Sequence, residues 1–138
     1  MVEFNLKKGM KGISQMIVGL ENMAEKYSRP MPPSFATPML VSLMDNAAIE
    51  AVKTNLPVGY ITVGTSITIK HLAPTPEGMT VTAQAELKEI FQNYLIFEVT
   101  AFDEVEKIGE GLVERCIIDL EKFSKKVLEK KKKEERFL

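Results

Sequence analysis

Between Met79 and Leu120 the chain alternates apolar and polar positions with the period of two that marks strands buried on one face. Met79, Val81, Ala83, Ala85 and Leu87 form one apolar row, set against Thr80, Thr82, Gln84, Glu86 and Lys88. Leu95, Phe97, Val99 and Ala101 form the next row, a turn is expected near Asp103 to Glu106, and Ile108 to Leu120 reads as a further strand. Gly109 and Gly111 fall inside that last strand, where glycine marks either a bulge or close approach by a ligand or backbone. Upstream, Tyr60 to Leu72 is β-branched almost throughout and predicts a strand after the turn at Pro57 and Gly59. Its alternation puts Ile61, Val63, Thr65, Ile67, Ile69 and His71 on one core-facing row, with Tyr60, Thr62, Gly64, Ser66, Thr68 and Lys70 on the other.

The first third of the chain has a different rhythm. Ile13, Met16, Ile17, Val18 and Leu20 suit a strand from Gly12 to Leu20, and Val2, Phe4 and Leu6 alternate as in a short earlier one. Pro30, Pro32 and Pro33 exclude regular helix or central strand between Tyr27 and Ser34 and predict an ordered loop of the kind that borders sites. Thr37-Pro38 predicts a helix start, with Thr37 as the N-cap and proline at the first helical position, and the helix is expected to reach about Thr54. At 100° per residue, Leu40, Val41, Leu43, Met44, Ala47, Ala48, Ala51 and Val52 share a broad apolar face opposite Ser42, Asn46, Glu50 and Lys53. The three alanines make that face small in volume, so a sheet backbone can come close. Asp45 sits at its edge. One helix followed by consecutive antiparallel strands argues for an α+β domain, and the pattern alone goes no further.

Composition narrows the picture. A chain of 138 residues that is 45% apolar fits one packed core. Residues 1–121 are expected to form that single domain, and 122–138, with Lys130-Lys131-Lys132-Lys133, a lysine-rich extension that is a solvated helix or a frayed terminus. Its functional reading is attraction of an anionic partner. A formal net charge of −1 argues against nucleic acid or an anionic membrane as partner. Without an apolar run of spanning length or a signal segment, the expected location is the cytoplasm. One cysteine and one histidine make an internal disulfide impossible and a metal site unexpected.

Candidate chemistry centres on Thr37, Asp45 and His71, a hydroxyl, a carboxylate and the chain's single imidazole, which is the set acyl transfer requires. Each has a plainer explanation: Thr37 as a helix cap, Asp45 as a surface or interface carboxylate, His71 as a buried neutral histidine. Thr37 and Asp45 lie about 12 Å apart along one helix and roughly 80° apart around it, so they cannot bond each other directly. If both act, the substrate carbonyl or His71 lies between them, or they come from different subunits. Gly64, a glycine inside a β-branched strand, suggests a close approach. Ser42 and Cys116 are weaker nucleophile candidates, and Cys116 is most simply a core thiol.

The ordered set Ala36-Thr37-Pro38, Val63-Gly64-Thr65 and His71-Leu72-Ala73-Pro74-Thr75 resembles the small hotdog-fold acyl-CoA thioesterases, in the branch that includes the fluoroacetyl-CoA thioesterase. The resemblance spans about Gly12 to Glu121. It implies a hotdog fold, a curved antiparallel sheet wrapped around one central helix, and a homodimer, or a dimer of dimers, with sites near the subunit interface. It further implies an acyl-CoA substrate, no separate cofactor, catalytic Thr37, Asp45 and His71, and substrate-binding Gly64, Thr65 and Arg115. His71 would then be the base toward water or the Thr37 hydroxyl, and the Gly64-Thr65 backbone would hold the oxyanion. Asp45 would orient or charge-balance His71, or activate water. Two positions depart from the family: Asp45 where glutamate is common, a reach shorter by roughly 1.3 Å, and Leu112-Val113 where Thr-His is frequent. The alternative class is an acyl-CoA-binding sensor or carrier. An enoyl-CoA hydratase ranks third, because its Asp and His would lie a few residues apart.

Overall fold

The computed structural model describes residues 4–28 and 30–136. In chain order the elements are β1 (Lys11–Ile17), α1 (Thr37–Val52), β2 (Tyr60–His71), β3 (Thr80–Phe91), β4 (Tyr94–Phe102), β5 (Lys107–Asp119) and α2 (Leu120–Arg136), with single 3-10 turns at Leu20–Asn22, Ala24–Lys26 and Lys53–Asn55. The five strands form one antiparallel sheet in the order β1-β3-β4-β5-β2. The sheet curls around α1, which touches all five strands. The α+β expectation of one central helix in a curved sheet is what the chain builds.

The apolar rows read from the sequence are the core. From α1 come Leu40, Leu43, Met44, Ala47, Ala48, Ala51 and Val52; from β3 and β4 come Val81, Ala83, Ala85, Leu87, Leu95, Phe97, Val99 and Ala101, all buried. Each large side chain among them stabilises the fold by about 1.5–3 kcal/mol on leaving water. Close contact depends on what is missing as well. A Cβ on Gly12 would collide with the carbonyl oxygen of Ala47 and the backbone nitrogen of Ala51. One on Gly109 would come within 3.0 Å of Leu40, and one on Gly111 would run into the Thr68 carbonyl. The β5 glycines therefore mark close approach, by α1 at Gly109 and by β2 at Gly111, and Gly109 also adjoins an irregularity where the pairing with β4 skips Ile108.

Four local expectations are corrected. Phe4 and Leu6 form no strand: they pack partly buried against the core, with the Phe4 and Tyr60 rings edge to face at 5.3 Å, after which Gly9 (φ 96°) turns the chain into β1. Val2 lies outside the described residues. β1 stops at Ile17 rather than Leu20, because the Gly19 N–H turns to the Asn22 side chain at 2.9 Å and starts a 3-10 turn. The N-cap of α1 is Ala36, whose carbonyl takes the first helical bond from Leu40 N–H, so Thr37 is already inside the helix and its hydroxyl is free for other work. α1 ends at Val52, and Lys53–Asn55 tightens into a 3-10 turn.

A fifth correction concerns β2, where no single alternating row faces the core. The pairing with β5 slips between Gly64 and Ser66, leaving Thr65 as a bulge whose hydroxyl donates to the Glu114 carbonyl at 3.2 Å. Before the bulge the helix side carries Tyr60, Thr62 and Gly64; after it, Ile69 and His71. Ile61 and Ile67, expected in the core, are 40% and 37% exposed. An inserted residue reverses the side-chain parity of everything beyond it.

At the far end, α2 begins where the Asp119 carboxylate accepts the Lys122 N–H at 3.1 Å and runs out with exposed side chains. Among the described residues, no helix is long and apolar enough to cross a membrane. The packing generates a first prediction. Gly12→Ala is expected to destabilise the fold by about 2 kcal/mol or more through overpacking against α1. Chemical denaturation measures it, and a wild-type midpoint in that variant would show that α1 and β1 are not in such close contact.

Candidate active site

The proline-rich loop and the exit of β2 form the two walls of an apolar cleft of about 480 Å³, lined by residues that include Tyr27, Met31, Phe35, Thr37, His71 and Leu72. Backbone hydrogen bonds fix both walls. Phe35 N–H donates to Thr75 O at 2.9 Å, Ala36 N–H to Asn22 O at 2.8 Å, and Ala24 N–H to Ser34 O at 2.7 Å. Thr75 is fully buried and donates its hydroxyl to Asp103 at 2.9 Å, while the other Asp103 oxygen accepts the N–H groups of Val105 and Glu106. Asn22, Thr75 and Asp103 therefore shape the cleft without lining its reactive end. The sequence reading passed over them, although Thr75 stands inside the segment that begins with His71.

In the lining of the cleft, Thr37 Oγ1 and His71 Nδ1 are 2.8 Å apart. Two features of the local sequence create this contact. Capping by Ala36 leaves the Thr37 hydroxyl uncommitted, and the bulge at Thr65 turns His71 toward the helix. His71 Nε2 is buried and has no hydrogen-bond partner. Burial lowers the imidazole pKa below its usual value, with the Ala73 backbone pulling weakly the other way. The ring is thus neutral near pH 7, the form that can accept a proton.

The other predicted site residues gather elsewhere. Arg115, only 5% exposed, donates from Nε to Thr62 Oγ1 at 2.8 Å, from Nη2 to Thr62 O at 2.9 Å, and from Nη1 to Asp45 Oδ1 at 2.5 Å. A guanidinium this deep needs such partners, since an unpaired buried charge is strongly destabilising. Gly64 leaves room for the pair: a Cβ there would lie 3.2 Å from Arg115 Nη1 and 3.9 Å from Asp45 Oδ1. Asp45, Gly64 and Thr65 line a separate pocket of about 290 Å³ with Val41, Ser66 and Ile67. Within one subunit, then, Thr37 and His71 form one cluster and Asp45, Gly64, Thr65 and Arg115 another. Asp45 is held by Arg115 and makes no hydrogen bond to His71. The Arg115–Asp45 pairing joins positions 70 apart, and no spacing rule signals it.

Ser42 is exposed on α1, and Cys116 is buried with its thiol pKa pushed up by burial. Of the two positions that depart from the family pattern on β5, Val113 is in the core and Leu112 is exposed. Among the described residues, no three His, Cys, Asp or Glu side chains group to hold a metal ion.

A curled antiparallel sheet around one central helix is the hotdog fold, the architecture of a class of thioesterases. A Thermus thermophilus thioesterase superfamily member has the same fold, with a TM-score of 0.88 at 25% identity over 94% of this chain and 96% of that one. The family model for the fluoroacetyl-CoA-specific thioesterase, FlK, matches residues 18–121, and the chain belongs to that family of thioesterases. The fluoroacetyl-CoA thioesterase of Streptantibioticus cattleyicolor is 43% identical over 99 residues, covering 72% of this chain and 71% of that protein. A solved structure of a fluoroacetyl-CoA-specific thioesterase mutant superposes with a TM-score of 0.85 at 34% identity, over 93% of this chain and 99% of the other.

With a single histidine, titration is unambiguous. The His71 ring resonances are expected to titrate with a midpoint below 6.5, and Thr37→Val to alter that midpoint. Because the folded pKa lies below the unfolded one, the unfolded chain binds the proton first. His71 stability is therefore fully present above about pH 6.5 and is lost as pH falls through the folded pKa. NMR titration with denaturation at several pH values checks this, and a midpoint at or above 6.5 would contradict a desolvated ring.

Proposed function

We propose that the protein hydrolyses an acyl-CoA thioester at the Thr37–His71 pair. The observation that carries this reading is the 2.8 Å contact between the Thr37 hydroxyl and His71 Nδ1 in the lining of an apolar cleft. That is the spacing of a nucleophile and its base, and burial keeps the base neutral. In the proposed step His71 Nδ1 takes the Thr37 proton as Oγ1 bonds to the thioester carbonyl carbon. The tetrahedral intermediate then expels CoA thiolate, which takes the proton from His71. Water, deprotonated by the same ring, hydrolyses the acyl-threonine to free acid and restores the hydroxyl. The α1 N-terminus at Thr37 favours the developing negative charge.

The second cluster enters through a homodimer. β2 is one of the two outer strands of the sheet, and Gly64 to Ile67 are exposed on it. Antiparallel pairing of two β2 edges would join two sheets and bring the Asp45–Gly64–Thr65 pocket of one subunit toward the Thr37–His71 cleft of the other. In that arrangement the Gly64-Thr65 backbone helps hold the oxyanion, Asp45 balances the imidazolium or activates water, and Arg115 acts as a positioning residue through Asp45. A dimer of such dimers is compatible with the same edge. CoA is part of the substrate, no separate cofactor is invoked, and the cytoplasm, where CoA esters are made and used, is the proposed setting.

The test is thiol release from short, medium, fluoro-substituted and aryl acyl-CoA esters by wild type, Thr37→Ala and His71→Ala. His71→Ala is expected to lower kcat at least 10²-fold, and Thr37→Ala by a similar order. The panel identifies the acyl group. Near-normal turnover in His71→Ala would remove the ring from the mechanism. No release from any ester, with CoA still raising Tm, would make the protein an acyl-CoA-binding module instead.

A further inference from the structure

α2 is unused by the chemistry above, yet it is the most highly charged element of the chain. Its seventeen residues hold eight basic and four acidic side chains, whereas the remainder of the sequence holds ten basic and fifteen acidic. The protein is therefore a net-acidic body carrying a net-basic helix. An acyl-CoA brings a diphosphate and a phosphomonoester, which such a body repels unless a local positive site meets them.

Where α2 is rooted decides which cleft it serves. Asp119 pairs with Tyr60, and Leu120 N–H donates to Gly59 O at 3.0 Å, so α2 leaves from the Tyr60 end of β2, while His71 lies at the other end against Gly109. Eleven residue steps separate Tyr60 from His71, about 36 Å of extended strand. A subunit's own α2 thus starts far from its own cleft. Antiparallel pairing along the β2 edge reverses the relation, because a two-fold axis near mid-strand sets the second copy's Tyr60 end against this subunit's His71 end. The second copy's α2 then rises beside the cleft.

We infer that the lysine run of α2 binds the phosphates of the CoA whose thioester is seated in the other subunit's cleft. The inference rests on the acyl-CoA reading and the β2-edge dimer. Lys130 to Lys133 are exposed and occupy successive positions around the helix, so whichever side turns to the ligand presents an ammonium group. The apolar side of α2 consists of Leu120, Phe123, Val127 and Leu128, all exposed, and ends where Lys131 and Glu134 interrupt it. Two apolar turns are too short to seat the helix on lipid but enough to rest it against a neighbouring subunit. The pantetheine arm keeps the phosphates away from the reacting carbonyl, which suits a site on a projecting helix outside the cleft.

The experiment compares acyl-CoA with the matching S-acyl-pantetheine, which lacks the phosphates, using wild type and the fourfold variant Lys130→Gln, Lys131→Gln, Lys132→Gln and Lys133→Gln. KM for acyl-CoA is expected to rise about tenfold at low salt, the difference fading as salt approaches about 0.5 M, while KM for the pantetheine ester stays put. An equal rise for both esters, or no rise for either, overturns the assignment. Which subunit contributes is read from a heterodimer pairing a His71→Ala subunit with a fourfold-Gln subunit. Its single working cleft meets a wild-type α2 only if the helix acts across the interface, so a KM near wild type supports the inference and the raised KM refutes it. Failure of wild type to turn over either ester would instead defeat the thioesterase reading itself.

Discussion

Everything in this fold depends on how closely α1 can lie against the sheet. The contact is made by Ala47, Ala48 and Ala51 on the helix and by Gly12, Ala83 and Ala85 on the strands, positions with a methyl group or less to separate the two backbones. Larger residues, among them Leu40, Leu43, Met44, Leu87 and Phe97, fill the core around that contact. The close approach lets five strands curl around sixteen helical residues. It also determines where the helix starts relative to the sheet, and so where Thr37 stands relative to His71. Reactive geometry and core packing are not separable here, because the same close approach sets both.

The two polar clusters solve different electrostatic problems. At the cleft the surroundings are apolar, and the imidazole responds by staying neutral, which suits it to take up a proton during a reaction. At the second cluster a guanidinium that cannot lose its charge is buried, so it is surrounded by a hydroxyl, a carbonyl and a carboxylate. Arg115 fixes Asp45 in place and leaves it part-exposed toward the small pocket beside Gly64. One cluster is held by desolvation of a neutral ring and the other by hydrogen bonds to a fixed charge.

Much of this was legible from the residues. The rows of β3 and β4 run without interruption, and the span of α1 follows from Thr37-Pro38 and its apolar face, because each rests on local periodicity. The prolines between Tyr27 and Ser34 correctly marked a loop at the border of the cleft. What escaped is non-local or depends on one extra residue. The expected row of β2 holds past Thr65, where Ile69 and His71 face the helix, and fails before it, since a bulge leaves no mark on hydrophobicity in a strand that is β-branched almost everywhere. Thr37 looked like a cap because threonine before proline usually is one, whereas here the backbone begins the helix one residue earlier. That Arg115 pairs with Asp45 and Thr62 depends on how α1 and β2 pack against β5, which no local pattern shows.

The bulge at Thr65 has a consequence for how this chain can vary over evolutionary time. β2 must serve two masters: its first half lays Thr62 over Arg115, and its last residue aims an imidazole at the start of α1. Perfect alternation cannot satisfy both with twelve residues, and the single misfit residue makes them compatible. Substitutions along the exposed middle of the strand change only side chains. Deleting the extra residue would restore plain alternation with Thr62 and the histidine still on one side, whereas an insertion, or a deletion that keeps the bulge, would set them on opposite faces. The length of β2 and the regularity of its pairing can thus change only together.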